Sequence, residues 1–69
     1  MPNEIEKRTA RAEFVNALAT RLQADQVGRA TVDHMAASAR TRERARVLLS
    51  PSEYHAAMLE AHRWVGRLT

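Results

Sequence analysis

Apolar residues recur along this chain in three blocks, each with the spacing of a helix. In the first, Phe14, Val15, Leu18, Ala19 and Leu22 fall on one side at about 100° per residue. In the third, Tyr54, Ala57, Met58, Ala61, Trp64, Val65 and Leu68 occupy an arc of about 120°, the stripe of a helix buried on one side. The second block is divided. Val32, Met35, Ala36 and Ala39 share one face, while Ala45, Leu48 and Leu49 lie on nearly the opposite face. A straight helix carrying both would aim its two stripes at different neighbours.

Polar punctuation sets the boundaries. Asn3 with Glu6 suits a helix start, since the Asn side chain can accept from a free N–H of the first turn. The first nine residues lack an apolar stripe and are expected to fray. Gly28 suits a left-handed helix end, and Thr31 is a natural N-cap for the next helix. Ser50-Pro51-Ser52-Glu53 is a capping box with Pro at the first helical position. The pattern therefore predicts an all-α chain of helices over 3–26, 31–49 and 51–68. It is read as one small helical domain over 1–69, a three-helix bundle or a helical hairpin with an N-terminal helix. The tight Leu49-Ser50 link predicts that the second and third helices are neighbours, roughly antiparallel.

Two local alternatives compete with this reading. Thr9 to Phe14 alternates polar and small apolar residues, as a short strand does. A strand before two helices would be the ribbon-helix-helix plan of many antitoxins, but Ala and Glu are poor strand formers. The divided helix would break at Arg40-Thr41, with Thr41 capping a second piece. No Gly or Pro marks such a break, so continuity is favoured.

Composition limits what these helices can bury. Large apolar residues are few among the 69 residues, and alanine supplies much of the rest. Alanine favours helix but contributes little burial. There is no Cys to add a disulfide. So thin a core is expected to rely on a partner or on self-association, hence a homo-oligomer. Trp64 and Tyr54 lie in the third stripe and are expected in the core. Leu59 lies off it and is expected on the surface.

The net charge is +3, and ten of the eleven basic residues are Arg. Arg40, Arg42, Arg44 and Arg46 alternate with other residues, and Arg29 lies upstream. Together they form the candidate nucleic-acid surface, through phosphate contact. The competing view is a solvated helix face, with Glu43 three residues from both Arg40 and Arg46. Leu48, Leu49 and Leu59 are the candidate partner contacts.

Other chemistry finds no footing. There is no nucleophile-base arrangement, phosphate-binding glycine loop or carboxylate pair, so no catalysis, cofactor or small-molecule substrate is expected. His55 and His62 lie seven apart and no Cys accompanies them, so no metal is expected. Neither a secretory signal nor an apolar run long enough for a bilayer is visible, and a cytoplasmic protein is the expectation.

Two short stretches carry faint likenesses. Ala30 to Ala39 resembles the first helix of the DNA-reading pair in TetR-type repressors, although Arg40 and Thr41 stand where that motif carries Gly and an apolar residue. Pro51-Ser52-Glu53-Tyr54 resembles the Pro-x-x-Tyr start of the second helix in small type III secretion co-chaperones. Two functional readings follow. One is a basic nucleic-acid-binding regulator, repressor- or antitoxin-like, from a phage or plasmid. The other is a protein-binding module acting through an apolar helix face: an inhibitor, co-chaperone or assembly subunit.

Overall fold

A computed structural model of the chain describes residues 3–68, apart from the side chain of Leu68. Three helices follow in order: α1 (Glu4–Gln26), α2 (Val32–Leu48) and α3 (Pro51–Leu68). Each begins where a polar side chain supplies the missing acceptor. Asn3 Oδ1 accepts from the Glu6 N–H at 2.8 Å. Thr31 Oγ1 accepts from the His34 N–H at 3.2 Å, and His34 Nδ1 lies 3.4 Å from the Thr31 N–H, closing a capping box. That role of His34 is invisible to the usual pattern, which asks for Glu or Gln.

α1 ends on Gly28 at φ +73°, with the Arg29 N–H bonded to the Ala24 carbonyl and the Gly28 N–H to that of Asp25. This is a Schellman end, and the left-handed residue is the glycine that tolerates it. Thr9 to Phe14 lies inside α1, so the strand alternative is not adopted. α2 runs unbroken through Arg40 and Thr41. Thr41 Oγ1 donates to the Ala37 carbonyl at 2.9 Å rather than capping a second helix.

The Ser50 box has a long-range consequence. The Ser50 N–H donates to Glu53 Oε1 at 2.9 Å, and Ser50 Oγ accepts from the Glu53 N–H at 3.3 Å. Lys7 Nζ of α1 lies 3.5 Å from the same carboxylate. Hydrogen bonds from the Ser50 N–H and hydroxyl, with the Lys7 charge behind them, hold the Glu53 carboxyl below its ordinary value of 4.5. A depressed carboxylate stabilises the fold above its unfolded pKa, and that share is lost as pH falls through the lower folded value. Glu53→Gln should therefore flatten the loss of stability on acidification below about pH 4.5. Thermal melts of both proteins at pH 7, 4.5 and 3 would show this, and parallel pH profiles would speak against it.

Packing is centred on α1, which runs between the other two. α2 returns antiparallel to it, with Arg44 beside Glu13, and α3 runs in the same direction as α1, with Lys7 beside Glu53 and Trp64 further along. α2 and α3 barely touch each other. The expectation that α2 and α3 pack as neighbours is thus corrected, although their directions are opposed as expected: the Leu49-Ser50 link is a corner, and both arms lean on α1. The core is Phe14 and Val15 of α1, Ala45 and Leu49 at the end of α2, and Ala57 and Ala61 of α3. Leu18, Ala19, Tyr54 and Met58 close over it, and the Phe14 and Tyr54 rings stack at 4.9 Å. Further along, Ala10, Ala24, Ser38 and Val65 are buried too.

Two expectations about burial fail, for a shared reason. α2 buries Ser38, Ala45 and Leu49, not the face of Val32, Met35, Ala36 and Ala39, which lies in solvent. Trp64 is 47% exposed rather than core. Each arm has one neighbour, so each buries one narrow stripe. Trp64 sits at the edge of its stripe, lining an open groove with Val15, Ala19 and Gln23, and Arg67 lies 5.7 Å from the ring centre. No helix among the described residues is long and apolar enough to cross a membrane.

Candidate docking face on the second helix

The solvent side of α2 brings several exposed apolar residues and arginines together on a single regular element. Its midline reads Val32, Ala36, Ala39, Glu43 and Val47, in steps of four and three residues. Such steps keep side chains on one face. Val32 is 80% exposed and Val47 75%, and Met35 stands beside them half in water. An apolar residue alone on a surface is ordinary, whereas several along one helix face make that face a candidate for docking.

Arginines border this midline on both sides. Arg42 and Arg46 stand on one flank and Arg40 and Arg44 on the other, all exposed. Their surroundings differ. Arg44 Nη1 lies 3.3 Å from Glu13 Oε2 of α1, and the Arg46 guanidinium lies 5.7 Å from the centre of the Tyr54 ring. Arg40 and Arg42 make no ion pair among the described residues, and neither does Arg29. Glu43 pairs with neither Arg40 nor Arg46, despite its spacing from both. Elsewhere some cations are tied down, Arg11 bonding Glu60 across α1 and α3 and Arg21 lying 3.8 Å from Asp25, while Arg8 and Arg63, like Arg40 and Arg42, make no ion pair among the described residues.

The five arginines of the nucleic-acid expectation therefore do not form one patch. Arg29 precedes α2, and the other four divide between two flanks, with apolar residues between them. The three leucines expected at a partner contact also part company. Leu49 is buried in the core cluster that holds Phe14 and Ala61 and has almost no surface to offer, so its place in a partner contact is corrected. Leu48 is half-buried at the inner edge of α2, and Leu59 is 49% exposed on α3. The residues of the outer midline are not among those expected to make contacts. The sequence shows Val32, Met35, Ala36 and Ala39 on a common face, read as one of two stripes aimed at different neighbours, but Glu43 and Val47 do not enter that reading.

Nothing in the described residues assembles a metal site: no group of three or more His, Asp or Glu side chains converges. The grooves are shallow and open. One of them runs between α1 and α2 and is lined by Glu13, Asn16, Thr20, His34 and Ser38. Compared with protein families, with curated proteins and with solved structures, the chain matches none.

Proposed function

We propose that the chain is a small protein-binding module, and that α2 is the helix it offers. The supporting observation is the outer midline: Val32, Ala36, Ala39 and Val47 in solvent on a helix whose opposite side is packed. A second amphipathic helix fits such a face. Ala36 and Ala39 let a backbone come close. The unpaired Arg40 and Arg42 call for carboxylates at the border of the incoming helix. The partner is thus a helix with small apolar residues along its midline and a carboxylate within reach of Arg40.

Nucleic acid is the competing partner, and what favours it is the freedom of Arg29, Arg40 and Arg42 from ion pairs. A phosphate-contacting surface gathers its cations on one side, with affinity that falls steeply with salt. Here the cations flank exposed valines instead.

A photo-crosslinking side chain placed at Ala39 separates the two in the protein's native cells. It should give a discrete protein adduct, weakened by Arg40→Glu and missing when the probe sits at Ala12, exposed on α1. A nuclease-sensitive adduct, or none, would overturn the protein-binding reading.

A further inference from the structure

Resting on that reading of α2, we propose that the helix it receives is α2 of a second copy of this chain, laid antiparallel across a two-fold axis. The outer midline is nearly the same read in either direction. Its positions 32, 36, 39, 43 and 47 are arranged almost symmetrically about the midpoint of Ala39 and Arg40. A symmetric dimer uses one patch twice, so the patch must complement its own reversal. Laid against its reverse, Val32 meets the partner's Val47 at each end of the contact, and Ala36 meets the partner's Glu43. The alanines lie next to the crossing, where helices come closest, and the valines fill the widening gap on either side.

The charges agree with the same register. Glu43 is the acid on the midline, and Arg40 is its nearest unpaired neighbour across the axis. Helix side chains lean toward their own N-terminus. In antiparallel helices that lean carries Glu43 of one copy and the partner's Arg40 toward each other, and the axis makes the pair twice. Neither residue makes an ion pair inside its own chain among the described residues. A foreign acidic helix would satisfy Arg40 but would leave Glu43 facing like charge. α2 supplies both signs and so satisfies both.

Sedimentation equilibrium of the full chain over a range of concentrations tests this. The wild type should dimerise. Arg40→Glu and Glu43→Arg, both at exposed positions and so expected to keep the helical spectrum, should each weaken the dimer by about tenfold, because two attractive pairs become repulsive. The double variant, with the charges exchanged, should regain wild-type dimerisation. A wild type that stays monomeric throughout would overturn the proposal. So would a dimer indifferent to the single changes, or one that the exchange does not restore. Failure here is distinct from failure of the docking reading. A crosslink from Ala39 to a protein of another mass would sink the second copy and keep the docking face. A crosslinked species of twice the chain mass would support both.

Discussion

Phe14→Ala should leave the chain without a cooperative unfolding transition. Among the described residues Phe14 is the largest side chain that is almost wholly buried, at 1% exposure. Around it the core is built largely from alanine: Ala45 comes from α2, and Ala57 and Ala61 from α3. Alanines let the helices approach but fill little volume, so the ring supplies most of what the three helices share. Removing a buried Phe costs about 3–5 kcal/mol, the lost transfer energy plus the cavity. A chain of this length has about 3.5–10 kcal/mol in all. The stacking on Tyr54 at 4.9 Å adds a further loss. Circular dichroism with urea titration is the measurement. Phe14→Leu, which keeps most of the volume, should remain folded with a lower midpoint. A Phe14→Ala protein with an unchanged midpoint would show that the core lies elsewhere.

Most of the boundaries were legible in the sequence, because helix ends are settled locally. Asn3, Gly28, Thr31 and the Ser50-Glu53 box each act within a few residues of themselves, and each appears as the sequence implies. The faces were less legible, because burial is settled by neighbours distant in the chain. In α3 the centre of the arc was right, since Ala57, Ala61 and Val65 have no competitor on another side. At its edge Trp64 was misjudged: α3 has one neighbour, and a stripe covered by one helix is narrower than one wedged between two. α2 was harder. With apolar residues on two opposite sides, its periodicity names no winner. The inner side is chosen by the corner at Leu49, which drops that leucine beside Phe14 and turns Ala45 and Ser38 inward with it. The same distance hides part of the candidate site. Glu13 and Arg44 are 31 residues apart, and no local pattern announces that they meet.

The orientation of α2 carries the functional argument, so it merits its own test, and two neighbouring residues provide one. Leu49→Ala should cost about 2–5 kcal/mol, because it empties a site within the core cluster. Val47→Ala should stay within about 0.5 kcal/mol, as expected for a surface change away from packed features. Only one residue separates them in sequence, and both are large and apolar. Composition and propensity alone would rank them together; the difference comes from the side of the bundle each one faces. Both variants belong in dilute protein, so that pairing between copies adds nothing to the stability of either. If Val47→Ala proved the severe change and Leu49→Ala the mild one, α2 would be turned the other way. Ala36, Ala39 and Glu43 would then lie against α1, and the outer face would carry Ser38 and Ala45 instead. No second helix could then find Arg40 and Glu43 together on a free surface. If the ranking holds, Val47 remains exposed at the end of a helix whose inner side is already committed, and in water that position is stabilised chiefly by whatever covers it.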